Sequence, residues 1–142
     1  MEIISSNIYD TQVLKLFSEH DDFMIDFLGA DKVYYTRYSE KENLEAVWIV
    51  YSENLPIGCI AYRKKENGVG EIKRMFIKDR YRGQGLSKIL LATVENHAKN
   101  QNCHTLFLDT RITLEPAVSL YRNFGFAITF QQGLYVQMEK KI

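Results

Sequence analysis

The chain has 142 residues, 46% hydrophobic and 25% charged, with eighteen basic and eighteen acidic side chains and zero formal net charge. This length suits one domain, 1–142, that buries roughly two thirds of its unfolded surface. Neutrality argues against a nucleic-acid or membrane-surface partner; no apolar run approaches the ~18 residues of a span, and Met1-Glu2-Ile3-Ile4 lacks a signal-peptide pattern, so the expected location is cytoplasmic.

Ile3-Ile4 opens a first strand. Asp10 is placed to cap a helix carrying Val13, Leu14 and Phe17 on one face, and a second short helix fits Phe23, Met24, Phe27 and Leu28, stopped by Gly29. Ala30 to Glu45 has no periodicity and reads as a long loop. Ala46–Tyr51 and Ile57–Arg63 are strands around a turn at Glu53–Pro56, and Asn67-Gly68 marks a hairpin into a strand from Glu71 to Ile77. Leu86, Ile89, Leu90, Val94 and His97-Ala98 recur at helical spacing to about Asn100. Thr105–Leu108 is a strand. Ala117, Leu120, Tyr121 and Phe124 define a helix with Pro116 in its first turn and Gly125 past its end, and Phe126–Phe130 and Leu134–Glu139 close the chain as a strand pair. The pattern predicts an α/β (α+β) fold with a mixed, mostly antiparallel sheet of about six to seven strands and about four helices.

Charge is unevenly spread. Glu19 to Glu45 holds eight carboxylates against three Lys/Arg, whereas Glu71 to Lys88 holds six Lys/Arg against two carboxylates. Solvated faces account for such runs, and so does an anion-binding half beside a half suited to cations. Cys59 and Cys103 sit among apolar neighbours without CxxC or Cys/His metal spacing, so two reduced core thiols and no metal are expected.

The segment Arg80-Tyr81-Arg82-Gly83-Gln84-Gly85 lies between a strand and an amphipathic helix. Glycines there allow a sharp turn that exposes backbone N–H groups, and the helix adds the positive end of its dipole, so the junction suits a polyphosphate. A P-loop spacing GxxxxGK[ST] is absent, and the dinucleotide fingerprint fails because Lys88 stands at its third glycine. The pattern RxxGxG does fit. Together with Glu71–Ile77 before it, Leu108-Asp109-Thr110, Pro116-Ala117 and Leu120-Tyr121-Arg122-Asn123-Phe124-Gly125-Phe126 after it, the chain resembles the GNAT superfamily of acyl-CoA-dependent N-acyltransferases.

The resemblance implies a GNAT-like domain that transfers an acetyl group from acetyl-CoA to a primary amine of a small molecule or peptide, by direct attack. It places the pantetheine arm along the backbone of Met75, Phe76 and Ile77. The pyrophosphate falls on the amides of Arg82, Gly83, Gln84, Gly85, Leu86 and Ser87, with charge from Arg80 and Arg82. Glu71 corresponds to a glutamate that takes the amine proton, directly or through ordered water. Its structural alternative is a hairpin-end carboxylate paired with Lys73 or Arg111. Tyr121 corresponds to a tyrosine beside the sulfur; its alternative is a core aromatic with Leu120 and Phe124. Leu114 departs from the family, where asparagine is frequent. The acidic stretch suggests a cationic amine, and a homodimer is a further expectation from the family. Two rival readings are a CoA-binding module without chemistry and a nucleic-acid binder using Lys73, Arg74, Lys78, Arg80 and Arg82.

Overall fold

A computed structural model describes residues 1–142 throughout. Strand β1 (Glu2–Ser6) leads into helix α1 (Thr11–Leu28), whose N-cap Asp10 accepts from the Gln12 N–H at 2.8 Å. The sequence suggested two helices here; there is one. The polar stretch from Ser18 to Asp22 contains neither Gly nor Pro, and Asp21 turns inward to a buried partner instead of marking a break. The expected loop after Gly29 contains two 3-10 turns, Gly29–Tyr34 and Glu40–Glu42.

Strands β2 (Ala46–Ser52) and β3 (Leu55–Lys64) form a hairpin, and β4 (Val69–Ile77) follows a second turn in which Asn67 and Gly68 have φ of 59° and 72°. Asn and Gly accept these positive angles readily, and the register leaves Glu66, Asn67 and Gly68 between the paired Lys65 and Val69. A third 3-10 turn, Asp79–Tyr81, leads to α2 (Leu86–Asn100), then β5 (Thr105–Arg111), α3 (Glu115–Phe124), β6 (Ala127–Gln132) and β7 (Tyr135–Lys141). In α2 the buried stripe is Leu86, Leu90, Leu91, Val94 and Ala98; Ile89, expected on that face, is half exposed.

The seven strands form one sheet in the order β1-β2-β3-β4-β5-β7-β6, antiparallel except for β4–β5. Three α-helices, rather than four, cover it. On one face α1 packs Val13, Leu16 and Phe17 against Val47, Ile49, Cys59 and Phe76. On the other, α2 and α3 pack Leu90, Val94, Val118 and Tyr121 against Ile60, Ile72, Leu106 and Met138.

Two irregularities position the site. The parallel pairing of β4 with β5 lasts only from Val69/Thr105 to Glu71/Phe107, although β4 runs on to Ile77 and β5 to Arg111. Beyond that point the strands diverge, and one edge of β4 is left without a strand partner. The second is a bulge: Cys59 faces Phe76 and Ala61 faces Lys73, so β4 spends one residue more than β3. Arg74 takes the strain in a left-handed conformation, φ 56°, and the Cys59 thiol donates to its carbonyl at 3.3 Å.

Candidate active site

The divergence of β4 and β5 opens into a cavity of about 1480 Å³ that also reaches α1, the Gly29–Glu45 segment and α3. Of the residues expected to bind a cosubstrate, Met75, Phe76, Ile77, Arg82, Gly83, Gly85, Leu86 and Ser87 line it. Arg80 and Gln84 do not; both are exposed, and Arg80 packs over the Tyr81 ring, 5.7 Å from its centroid. Because β5 has moved away, backbone groups of β4 beyond the bulge face the cavity instead of a neighbouring strand.

At the cavity mouth, Gly83 and Gly85 have φ of 78° and 79°. A Cβ built on either meets nothing within 4 Å, so glycine is needed there for backbone conformation, and the space above it stays open. Gly85 is the N-cap of α2 and supplies no side-chain cap, which leaves the first-turn N–H groups free for an anion. Arg82 plays a double part: Nε donates to the Ile77 carbonyl at 2.8 Å, closing the loop, while its guanidinium lies 4.9 Å from the Phe23 ring centroid.

Tyr121 reaches the cavity from the opposite wall. Gly125, φ 111°, ends α3, and the Phe126 N–H returns to the Tyr121 carbonyl at 2.9 Å. That turn sets the Phe126 ring 5.9 Å from the Tyr121 ring, which explains the glycine and phenylalanine spacing after the tyrosine. Burial, helped by the charge of Asp109, pushes the Tyr121 phenol up to about 12. Glu71 is buried at the point where β4 and β5 part, and its partner is Arg63 Nε at 2.7 Å, neither Lys73 nor Arg111. It stands behind the cavity wall, whereas Arg63 is on it.

The wall between α1 and the Gly29–Glu45 segment is organised by Arg74. From the bulge its guanidinium, 7% exposed, pairs with Asp21 of α1 and with Glu42 of the second 3-10 turn. Asp21 also accepts from the Tyr35 hydroxyl at 2.6 Å and the Tyr38 N–H at 3.0 Å. Burial alone would raise the Asp21 carboxyl; hydrogen bonds from Tyr35 and Arg74 outweigh it and hold the group below its ordinary value. His20, packed beside this cluster, is lowered to about 4 by burial and by the Arg74 charge, so it is neutral at pH 7. The sequence listed Arg74 only among basic residues; nothing local marks a bulge arginine as the hub of a buried cluster.

The acidic run therefore does not make an acidic pocket. Asp21 and Glu42 are bound to Arg74, Asp22 to Arg37, Asp31 to Arg111 at 3.0 Å, and Glu19 to Lys78. The basis for expecting a cationic acceptor goes with them.

A model described as the Acetyltransferase (GNAT) family matches residues 13–126. The chain belongs to the GNAT acetyltransferase family. Among related GNAT sequences, an uncharacterized N-acetyltransferase of Dictyostelium discoideum is 45% identical over 56 residues, 39% of this chain and 26% of that protein. An IAA acetyltransferase of Azospirillum brasilense is 36% identical over 72 residues, 50% of this chain and 47% of its own. The chain thus spans less than half the length of these relatives. In structure it is similar to a candidate acyl-CoA N-acyltransferase from Klebsiella pneumoniae, with TM-score 0.80 and 28% identity over 99% of this chain and 96% of that one. The PaiA N-acetyltransferase of Thermoplasma acidophilum, solved in complex with coenzyme A, has TM-score 0.73 over 100% of both chains at 17% identity, a likeness of fold. No helix of this GNAT chain is long and apolar enough to cross a membrane.

Several cavity residues had no assigned role in the GNAT motifs. Asp109 accepts from the Tyr135 hydroxyl at 3.1 Å, Arg111 holds Asp31, and Phe23 and Phe27 stack with ring centroids 6.3 Å apart. The signal for Asp109 and Arg111 was their place at the far end of β5, the strand that the cavity opens beside. Phe23 and Phe27 were visible only as a helical stripe.

Proposed function

We propose that this protein transfers an acetyl group from acetyl-CoA to a primary amine, by direct attack of the amine nitrogen on the thioester carbonyl and departure of the thiolate. One observation carries the reading: β4 and β5 part, with open positive-φ glycines at the mouth of the gap and Tyr121 on its wall. The amides of Gly83 to Ser87 and the start of α2 bind the pyrophosphate, and Arg82, tied to Ile77, holds the loop in shape. The β4 edge from Met75 to Ile77 takes the pantetheine amides and offers an N–H to the developing oxyanion.

A lysine-like amine has a pKa near 10.4, so attack at neutral pH requires loss of a proton. Glu71 is buried behind the wall and paired to Arg63, so the proton passes to an ordered water in the cavity. A phenol at about 12 is a weak acid toward a thiolate whose conjugate acid has a pKa of about 8.5. Tyr121 therefore stabilises the leaving sulfur through a hydrogen bond. No covalent acyl-enzyme is involved: Cys59 is fully buried and its thiol is pushed up to about 12.

The test is release of free thiol from acetyl-CoA across polyamines, amino acids, aminoglycosides and peptides. Tyr121→Phe is expected to lower kcat by about 10²-fold while calorimetric binding of acetyl-CoA is unchanged. If the wild-type protein binds acetyl-CoA but acetylates no amine, it is a CoA-binding module instead.

A further inference from the structure

The cavity wall beyond the bulge has an unbalanced supply of hydrogen-bond donors. Each carboxylate on it already has a partner: Asp31 with Arg111, Glu42 with Arg74, and Asp109 with the Tyr135 hydroxyl. Two cations do not. Lys73 lines the cavity and enters none of the ion pairs of the chain. Arg111 gives Asp31 one Nη2 bond, while its Nε–H is buried without any acceptor. A ligand would meet Arg111 through Nη1, which is neither bonded nor fully buried, rather than through the enclosed Nε.

The phosphates of the cosubstrate are not that ligand. They belong at Gly83–Ser87, past the end of β4, whereas Lys73 lies four residues before Ile77. At ~3.3 Å per residue the two points are more than roughly 10 Å apart even with a bulge between them. Lys73 and Arg111 stand on the two strands that flank the gap, both beyond the last pair, Glu71 and Phe107. The same cavity is lined by the apolar and aromatic side chains of Phe27, Leu28, Tyr34 and Tyr35.

We propose that the acceptor is an amine that also carries a carboxylate, as an amino acid does, and that Lys73 and Arg111 bind this carboxylate across the gap. The assignment rests on the acetyl-transfer reading and narrows it. Asp31 is an internal stand-in for the same anion: it occupies part of the Arg111 guanidinium and is half exposed, so it can yield. The carboxylate fixes the orientation of the acceptor and leaves its amine to face the thioester.

The experiment compares the common amino acids with their amides, and with spermidine, in the thiol-release assay. Amino acids are expected to exceed their matched amides at least tenfold in kcat/KM. Lys73→Met should raise KM for the acids about tenfold and leave that for the amides and the binding of acetyl-CoA alone. Asp31→Asn should lower KM for the acids, since Arg111 loses its competitor. Amides or spermidine equal to the acids, or a Lys73→Met effect shared by both classes, would overturn the proposal. If no amine turns over although acetyl-CoA binds, the transfer reading fails by itself. The anion site is then judged by calorimetry of N-acetylphenylalanine and its amide on the CoA-saturated protein. Binding of the acid alone, lost in Lys73→Met, upholds it; equal binding of both, or of neither, refutes it.

Discussion

Replacing Arg74 by methionine removes the group that joins α1, the β4 bulge and the Gly29–Glu45 segment. Asp21 is left 3% exposed with its main countercharge gone, and Glu42 loses its partner as well. Breaking a buried pair from one side costs about 3–5 kcal/mol. At roughly 2–4 °C per kcal/mol for a domain of this size, the melting temperature should fall by about 10 °C at pH 7. The pH dependence carries the decisive sign. In the wild type the Asp21 carboxyl is held below its ordinary value of 3.8, so its stabilising contribution is full above that pH. It is lost as pH falls through the lower folded value. Without Arg74, burial raises the same carboxyl, and the variant relieves the cost by binding a proton. The difference in stability between the two proteins should therefore be largest near neutrality and shrink on acidification. Urea titrations from pH 3 to 8 measure it. Arg74→Lys, whose single ammonium cannot span both carboxylates, should fall between the two and remain folded if the methionine variant does not. Arg74 anchors the wall to which the proposed reading assigns the amine, so the lysine variant should raise KM for the amine several-fold with acetyl-CoA affinity unchanged. A gap that stays flat with pH, or equal melting temperatures, would refute the reasoning.

Gly85→Ala meets no neighbour within 4 Å, yet forces an L-residue into φ 79°, a strain of about 1 kcal/mol. Acetyl-CoA affinity should fall about tenfold by calorimetry, with a melting temperature only a few degrees lower; unchanged affinity would remove the loop from the site. Cys59→Ala deletes a fully buried thiol and its bond to the Arg74 carbonyl, costing about 1–2 kcal/mol by denaturant titration. Turnover should persist in full, because direct attack needs no thiol. Inactivity in a folded Cys59→Ala protein would count against the mechanism.

Local signals located most elements. Asp10 caps α1, Asn67-Gly68 makes the hairpin, and Gly125 ends α3, because capping and positive φ are properties of a few adjacent residues. The same holds for the loop: Gly83 and Gly85 adopt the conformation that glycine alone accepts freely, so its backbone shape was legible from six residues. Local patterning misled at Ser18–Asp22, where polar residues suggested a break that a distant arginine fills, and at Ile89, which faces solvent.

From its sequence alone the chain determined the strand and helix content, the glycine loop and the tyrosine helix, all matters of short-range propensity and spacing. Only the tertiary structure decided what those parts enclose. The gap exists because β4 and β5 stop pairing after Glu71 and Phe107, a relation between residues 36 positions apart. The Arg74 cluster exists because a bulge turns one side chain toward carboxylates 53 and 32 positions away. The same pairing neutralised Asp31 and Glu42, the carboxylates of the acidic run that line the cavity, and left Lys73 on its wall without a partner. Charge along a sequence counts every ionisable group; charge in a cavity counts those that folding has left without a partner.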